Sequence, residues 1–462
     1  MKDRSPSFKL LLAGLVGLVL MVPLMMVYGL VSDRQGQARV AQAAITAGSG
    51  GEQIVSGPVL VVPFLAMRQI DETIDGRTVS RNQLVRQQLF ISPTTQELST
   101  LLKPERKKKA IYETVIYLAE MDGRARFEIP ADLKSLGTKR EELLLDEAQI
   151  RFGTSDPRGL RAAADVRVGG ERIDLMPGEG TRASGGAGFH GSLDWSSAEP
   201  LVVDYSYTIR GSRNLTLVPR GGQTEWNVTS PWQHPGFAGS FLPDESTISD
   251  EGFSAKWSIG NLALGQSMVA TSDLPPPAEG EVIPLREVER GVPGSLQASK
   301  AASIALVQPA DIYAQVDRSV KYGFLFIGFT FVAFLLFDVV GGAKVAAAEY
   351  LLTGAGLVLF FVLLLAFAEW VGFGTAYIIA SGAIIGLLTA YSAAVLGGWK
   401  RAAFIAGLLT ALYSLLFVLL SLEAASLIIG SVLMFAALAG VMYATRNVDW
   451  SGVAQREEAL EG

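Results

Sequence analysis

Apolar residues concentrate in two parts of the chain, a run at 8–31 near the N-terminus and a tract at 320–445 near the C-terminus. Charged residues divide the second tract into five runs, at approximately 322–341, 347–368, 372–396, 402–421 and 425–445. Each run has close to the roughly 20 residues that a helix needs to cross about 30 Å of hydrocarbon. Because backbone groups in lipid must find partners within their own segment, we expect helices. The pattern predicts an α-helical membrane protein with six transmembrane helices, one followed by five.

The stretch between these apolar parts, residues 32–318, is polar and rich in turn signals. Its first residues, 32–50, have the composition of a polar helix that ends in a Gly/Ser break. The β-branched run GPVLVVPF at 57–64 then predicts a buried strand that opens a folded domain. LVVDYSYTIRG at 201–211 alternates apolar and polar residues, as expected of a strand with one buried face. Regular turn signals between short strands predict a large all-β, sandwich-like domain.

Four dipeptides in this domain are typical of tight hairpin turns: Asp75-Gly76, Asp122-Gly123, Gly169-Gly170 and Gly221-Gly222. The clearest two are Asp122-Gly123, in the middle of the strand-like stretch 115–130, and Gly169-Gly170, in the middle of the stretch 165–175. A short helix is also predicted from Asp156 to Ala164. Aspartate is a favoured helix cap, and the following Pro157 suits the first helical position.

Positive charge near the ends of the spans indicates their orientation. If the N-terminus is cytoplasmic, the loops on that side carry Lys344, Lys400 and Arg401, whereas the opposite loops carry Glu369 and Glu423 and no basic residue. We therefore expect residues 1–7 and 446–462 in the cytoplasm. Residues 32–318 would lie outside, in the periplasm of a bacterium. The N-terminal run is longer than the about 7–15 apolar residues of a signal peptide, so we expect it to remain as an inner-membrane anchor.

Composition argues against several classes of function. The net charge is −6 and there is no basic domain, so nucleic acid is not an expected partner. The chain has no cysteine, which excludes disulfides, thiolate metal ligands and cysteine nucleophiles. The two histidines, His190 and His234, do not have metal-ligand spacing, and no serine–histidine–acid pattern stands out. We therefore predict no metal site, no cofactor and no enzymatic activity.

Ionisable residues at membrane depth are candidates for function, because placing charge in lipid is costly. Asp338, near the cytoplasmic end of the second span, is the best such candidate and would suit a proton or ion relay. The alternative interpretation is an interfacial carboxylate that reaches water or pairs with Lys344.

Two segments of the polar domain are candidate contact surfaces. The first, TSPWQHPGFAGSFLPDE at 229–245, concentrates aromatic and imidazole side chains among prolines and glycines: Trp232, His234, Phe237 and Phe241. Such a segment either forms a binding edge for a sugar, peptide or lipid, or caps the core of the β domain. The second is the basic run at 103–109. It either touches anionic lipid headgroups or forms the solvated end of a hairpin.

Over nearly its whole length the chain resembles the CreD family of bacterial inner-membrane proteins. The resemblance rests on GPVLVVPF at 57–64, SDPRGL at 155–160, SPWQHPGFAGSFLP at 230–243, VKYGFLFIGFTFVAFLLFD at 320–338, EYLLTGAGLVLFFVLLLAFAEWVGFGTAY at 349–377 and ATRNVDW at 444–450. It implies a protein associated with cell-envelope integrity and stress responses, including altered tolerance to colicins and β-lactams. It carries over no catalytic residues, because the family has no established activity or ligand.

These observations predict an inner-membrane protein without enzymatic activity that supports envelope integrity and tolerance to envelope stress or antimicrobials. The lipid bilayer is the partner of its helices, and its periplasmic β domain is expected to bind an envelope protein, glycan or lipid. Two alternatives stay open. A transporter or flippase-like protein would need a polar cavity in the five-helix bundle with Asp338 facing inward. A periplasmic enzyme acting on glycan or lipid would need both histidines or several carboxylates in one cleft. The sequence leaves the oligomeric state undetermined.

Overall fold

The computed structural model describes residues 6–74, 77–109, 112–130, 133, 136, 138–161, 164–277, 299–307, 312–339, 346–395, 398–421, 431–432, 435, 438–440, 442–443 and 446. The chain divides into two compact units. The helical unit comprises Met1–Val40 and Ala310–Gly462, and the β unit comprises Ala41–Pro309.

The α-helices of the described part are α1 (Pro6–Ala47), α2 (Asn261–Leu264), α3 (Ile312–Lys321), α4 (Gly323–Val339), α5 (Ala347–Val371), α6 (Phe373–Val395) and α7 (Trp399–Ser421). Five helical stretches among the described residues are long and apolar enough to cross a membrane: α1, α3 continued by α4, α5, α6 and α7. The sixth predicted span, 425–445, lies largely outside the described residues. Helix α1 continues beyond the predicted 8–31 run and is followed by Gly50 and Gly51, both with positive φ. The expected polar helix and Gly/Ser break are therefore present.

Large apolar side chains along α5 form the centre of the helical unit. The ring of Phe360 is fully buried and lies 5.4 Å from Tyr377 of α6 and 4.6 Å from Tyr413 of α7. On the side of α1, a side chain at Gly354 would overlap Leu20. Small residues let helix backbones approach closely in this way.

The strands of the β unit are β1 (Gln53–Ile74), β2 (Arg77–Ile91), β3 (Thr95–Lys109), β4 (Tyr112–Phe127), β5 (Ala148–Thr154), β6 (Asp165–Val168), β7 (Glu171–Arg172), β8 (Leu175–Pro177), β9 (Gly188–Leu193), β10 (Leu201–Ser212), β11 (Asn214–Val218), β12 (Gln223–Ser230), β13 (Pro235–Gly239), β14 (Glu245–Ser249), β15 (Gly252–Gly260), β16 (Val269–Ala270) and β17 (Ala302–Leu306). One mixed sheet has the order β13-β17-β11-β1-β5-β9-β8, with β2 paired to β1 and β16 to β2. The other has the order β14-β15-β12-β3-β4-β10-β6-β7. Neighbouring strands are antiparallel except for β1 with β11 and β3 with β12. One hydrophobic core receives side chains from both sheets.

Two strands predicted from the sequence are confirmed, and both contribute side chains to this core. The run at 57–64 lies within β1, and its Val59 and Phe64 are completely buried. In β10 the predicted alternation is present, with Val203 and Ile209 buried on the inner face. A one-residue shift of β10 would turn its buried apolar set to the other face, so burial fixes its register. In β1, residues 58–64 are buried on both faces of the strand.

The turn at Gly169-Gly170 is confirmed. It joins the antiparallel strands β6 and β7, and its two glycines have φ values of 59° and 95°. Positive φ at both central residues is what a type I′ hairpin turn requires. The dipeptide Asp75-Gly76 lies outside the described residues, although the strands on either side of it, β1 and β2, pair antiparallel from Ile74 and Arg77 onwards.

The predicted turn at Asp122-Gly123 is wrong, because both residues lie in the middle of β4. Asp122 sits opposite Ser99 of β3 and Ser206 of β10, within a continuous ladder. A side chain at position 123 would overlap the buried ring of Tyr205. The glycine therefore provides room for a close approach within the sheet, which is the other common reason for glycine in a strand.

The hairpin predicted at Gly221-Gly222 is also wrong. These residues connect β11 of one sheet to β12 of the other, so the flanking strands are not partners. The amide of Gly222 donates to the carbonyl of Pro93 at 2.9 Å, and a side chain at 222 would approach the carbonyl of Thr94 closely. The connection crosses between sheets where only glycine fits.

The helix predicted from Asp156 to Ala164 is reduced to a single 3-10 turn at Pro157–Gly159. The Asp156 carboxylate caps it, accepting from the amide of Arg158 at 3.0 Å. Leu160 is already extended and forms a bridge with Ile209 of β10. Pairing with the sheet therefore ends the helix earlier than the local sequence predicts.

Candidate functional site

The aromatic side chains of the 229–245 segment belong mainly to the core of the β unit. The indole of Trp232 is only 9% exposed, and its Nε1 donates to the carbonyls of His234 and Val307, both at 3.1 Å. Phe237 lies in β13, and its half-buried ring meets Trp257 edge to face at 5.7 Å. This arrangement matches the core-capping alternative for these rings.

Two other members of the segment differ in exposure. The ring of Phe241 is half-buried and packs against the same core. The imidazole of His234 is exposed, and so is the side chain of Leu242, at 64%. Any contact that this segment makes with a partner would therefore use His234 and Leu242 more than the aromatic rings.

The two histidines lie in different parts of one sheet. His190 is in β9, is buried, and has Nδ1 at 3.0 Å from the carbonyl of Gly178. Because a carbonyl only accepts, that nitrogen is the protonated one. His234 immediately precedes β13, and β17, β11, β1 and β5 stand between β13 and β9. Five strand steps correspond to roughly 24 Å, so the two imidazoles do not share a site.

The β unit contains an open cleft of about 570 Å³, a size typical of small-molecule sites. Its lining combines apolar side chains with two cations and two carboxylates: Glu128, Ile129, Pro130, Leu133, Thr138, Lys139, Arg140, Glu141, Ala198 and Pro200. Such a surface can hold the apolar part of a ligand and fix its polar groups by hydrogen bonds.

Both walls of this cleft are anchored by side chains behind them. On one wall, Glu142 accepts from the hydroxyl of Thr138 at 3.2 Å and from the backbone amide of Lys139 at 3.0 Å. On the other, the completely buried Trp195 donates from Nε1 to the carbonyl of Glu199 at 2.7 Å. The cationic side chains therefore project from a backbone that does not depend on them for its position.

One residue of the cleft has a strained backbone. Ala198 has a φ of 51°, in the left-handed region, where its amide donates to the carbonyl of Trp195 at 2.8 Å. This conformation costs an L-residue other than glycine about 1–2 kcal/mol. Strain of this kind is often found at functional sites. No sequence motif marks the cleft, because its residues come from two separate segments of the chain.

The SDPRGL motif at 155–160 has a structural role at the start of β1. The side chain of Gln53 is buried and donates to the carbonyls of Asp156 and Arg210, each at 3.2 Å. Its Oε1 accepts from the Ser155 hydroxyl and the Asp156 amide, each at 3.3 Å. By hydrogen bonding to the carboxylate, the Arg158 guanidinium holds the pKa of Asp156 below its ordinary value. The motif thus joins the 3-10 turn to β1 and β10.

A buried ion pair between Arg220 and Asp273 also contacts β1, at Ser56. The side chains of Arg220 and Asp273 are 1% and 8% exposed and pair with each other. Arg220 also donates to the Ser56 hydroxyl at 2.9 Å, and Asp273 accepts from the amide of Arg182 at 2.6 Å. Burial lowers the pKa of Arg220, an effect that Asp273 opposes. Since protein groups satisfy both charges, the pair fastens three segments together.

In the helical unit, Glu369 near the end of α5 connects three helices. Its Oε1 accepts from the hydroxyl of Tyr313 on α3 at 3.2 Å and lies 3.9 Å from Nε of Arg34 on α1. The side chain of Asp338, the predicted ionisable candidate, lies outside the described residues. Its inward or interfacial orientation therefore stays a prediction.

Comparison with known proteins connects this architecture to one family. The family model described as inner membrane protein CreD matches residues 5–451. The chain is also 30% identical over 440 residues to the inner membrane protein CreD of Escherichia coli (strain K12), which covers 94% of this chain and 91% of the relative. The chain therefore belongs to the CreD family of inner membrane proteins.

Proposed function

We propose that this protein supports the integrity of the cell envelope and tolerance to envelope stress or antimicrobials, without enzymatic activity. In this proposal, residues 32–318 form a periplasmic β-sandwich that binds an envelope component. Six spans, the last near 425–445, hold it in the inner membrane with both termini in the cytoplasm. The distribution of lysine and arginine among the loops supports the orientation. Membership of a family of inner membrane proteins supports the location in the inner membrane.

The cleft of the β unit is the observation that carries the binding role. Its lining combines apolar residues with the cations Lys139 and Arg140 and the carboxylates Glu128 and Glu141. Glu128 already accepts from Arg126 at 2.9 Å, so it is engaged in an ion pair. The separation of the histidines favours binding over hydrolysis, since catalysis by both imidazoles would require them in one place.

The test is to remove the cleft's cations and measure envelope function in cells. Replacing Lys139 and Arg140 by alanine should abolish the protein's support of envelope integrity, while the amount of protein in the membrane stays normal. The amide of Lys139 that bonds Glu142 is a backbone group, so alanine leaves that contact intact. A matched control removes the two exposed arginines of the β6–β7 hairpin, Arg167 and Arg172. Unchanged envelope function in the cleft variant would refute the site.

The ligand can be identified with the same residues. A photo-crosslinking amino acid at Arg140 would capture a molecule bound in the cleft of intact cells. The same amino acid at Arg172 is the control. We expect one species to be captured from the cleft position alone.

The 229–245 segment is a second proposed contact surface. Its test must change exposed side chains without removing side chains from the hydrophobic core. Trp232→Ala would remove a buried indole, which costs about 3–5 kcal/mol, so loss of function there would not separate contact from stability. Replacing His234 and Leu242 by alanine changes exposed groups only. A contact at this surface predicts loss of function in that double variant with an unchanged unfolding midpoint.

A transport role is the second candidate, and buried hydroxyl groups favour it. In the described structure, Thr330 of α4, Thr353 of α5 and Ser392 of α6 are at most 1% exposed, and their hydroxyls have no hydrogen-bond partner. Polar groups inside a bundle are what a pathway for a polar solute requires. Thr353→Val together with Ser392→Ala should abolish function if such a pathway operates. If Thr353 and Ser392 serve only to pack the helices together, the double variant should function normally.

A further inference from the structure

The basic run at 103–109 occupies the outer end of β3, here called the basic strand end. Strand β12 pairs with β3 only from Thr95 to Leu101. Beyond Leu101, that edge of β3 has no strand partner among the described residues. Residues 105–109 are all exposed. Lysine on an open edge prevents pairing with another chain, so one role for these residues is protection of the edge.

Charge on the basic strand end exceeds what the neighbouring carboxylates balance. Lys103 pairs with Glu120 at 2.5 Å, and Glu113 lies 3.5 Å from Arg106 and 3.3 Å from Lys108. With Glu105 included, three carboxylates face five cations and leave a net charge of +2, in a chain whose net charge is −6.

Two lysines carry this excess. Lys107 and Lys109 lie on the same face of β3, opposite the uncharged Thr114 and Tyr112 of β4. Neither makes an ion pair with any described residue. Arg106, by contrast, is held 5.5 Å above the ring of Trp232 in addition to its contact with Glu113. The uncompensated charge is therefore at the tip, on the face of β3 opposite to the one that carries Arg106 and Lys108.

A hydrogen bond connects the tip to Gln42. Gln42 donates from Nε2 to the carbonyl of Glu113 at 3.0 Å, and Glu113 lies opposite Lys108. Gln42 follows Val31, the predicted end of the span, by only 11 residues of the chain. The tip is therefore tied to a residue that comes soon after the predicted span in the sequence, and lysine near an anionic surface is attracted to it.

We propose that the basic strand end binds the headgroups of anionic phospholipids at the membrane surface. The proposal rests on the periplasmic placement of the β unit proposed above, and it adds a lipid contact separate from the cleft. Complementary charge carries it, because uncompensated cations suit the phosphates of anionic headgroups. Edge protection and lipid binding can be separated, because a charge of either sign protects an edge and only a positive charge attracts an anionic lipid.

The experiment uses the full-length protein in detergent and water-soluble short-chain phosphatidylglycerol as the probe. Because the chain has no cysteine, Leu101→Cys supplies a single attachment point for a polarity-sensitive dye. Leu101 is 40% exposed and lies on the same strand face as Lys107 and Lys109. Phosphatidylglycerol should change the dye signal with saturation, whereas phosphatidylcholine and inorganic phosphate should not.

Two variants and one control decide the outcome. Lys107→Gln with Lys109→Gln should weaken binding by about 25-fold, or about fivefold for each cation. Lys107→Glu with Lys109→Glu should weaken it at least as much while keeping the edge charged. Arg167→Gln with Arg172→Gln, the same charge change elsewhere, should leave affinity unchanged.

The proposal is overturned if the glutamate variant binds as tightly as the wild type, or if the control loses as much affinity as the lysine variants. An equal response to phosphatidylcholine or to inorganic phosphate would also overturn it. Failure here would leave the cleft hypothesis standing, since that hypothesis is tested by envelope function in cells.

Discussion

Gly123 offers a direct test of why a turn-like dipeptide lies within a strand. A methyl group at this position would overlap the ring of Tyr205, which is 4% exposed. That ring has little freedom to move, because Phe152 lies against it at 5.2 Å and Gln96 donates to its hydroxyl at 3.1 Å. Forcing an extra methyl into such packing costs about 1–3 kcal/mol. Gly123→Ala should therefore lower the free energy of unfolding by that amount.

The assay is thermal or denaturant unfolding of the full-length protein, followed by tryptophan emission. The completely buried indoles of the β unit report on its core: Trp195, Trp226 and Trp257. Gly260→Ala is the matched control, since Gly260 has a φ of −90° and a side chain there would meet its nearest neighbour at an ordinary 3.5 Å. That control should be neutral or slightly stabilising, because alanine restricts the unfolded chain.

Two further variants identify the cause of any loss. Tyr205→Leu removes the ring that the methyl would meet, so combining it with Gly123→Ala should cost less than the sum of the single changes. Gly123→Asn distinguishes a tight turn at this position from a strand packed under the ring of Tyr205. Asparagine suits a tight turn with positive φ, but it is larger than alanine and would fit beneath the ring less well. If Gly123→Asn were as stable as the wild type, the reasoning from Tyr205 would be refuted.

Three other features give measurable expectations with the same unfolding assay. Asp273→Ala should cost about 3–5 kcal/mol by leaving Arg220 buried without a partner, whereas Arg220→Met combined with Asp273→Leu should cost much less; equal losses would contradict the ion-pair argument. Ala198→Gly should raise stability by up to about 1 kcal/mol by relieving the positive φ, and a decrease would show that the methyl matters more than the strain. Burial raises the pKa of Tyr117 and Tyr207 above the ordinary 10.0, so stability should hold below pH 10.0 and fall as the pH rises above it, where the unfolded tyrosines ionise first; Tyr207→Phe should reduce this dependence.

Most helices of the helical unit could be predicted from the sequence. Runs of apolar residues mark helices such as α5 and α6 because a segment in lipid must satisfy its own backbone, whatever its neighbours are. Charge at the loops predicts an orientation from local sequence in the same way, and that orientation stays a prediction. What hydropathy left out was contact between helices. The hydrogen bond from Tyr313 to Glu369 joins residues 56 positions apart, and no local pattern announces it.

In the β unit the sequence predicted strands better than their connections. Alternation identified β10, because burial of one face imposes a period of two. The dipeptides Asp122-Gly123 and Gly221-Gly222 misled, since glycine serves both tight turns and close packing. Only the position of Tyr205, or the crossing between two sheets, distinguishes these uses.

Candidate sites show the same division. The sequence singled out Trp232, Phe237 and Phe241, and aromatic residues are indeed concentrated there. Whether a ring faces water or the core depends on partners distant in sequence, such as Val307 for Trp232. The cleft of the β unit brings residues 128–141 together with 198–200, so it exists only once the chain has folded.

The sequence by itself determined the membrane-spanning helices, the large β region between them and the family, because each is expressed in local patterns or in long ordered matches. Tertiary structure decided which glycines turn and which make room. It also decided which aromatic rings are buried and where a ligand could enter. These properties depend on contacts between residues far apart in the chain, and the energy of such contacts is absent from any short stretch of sequence.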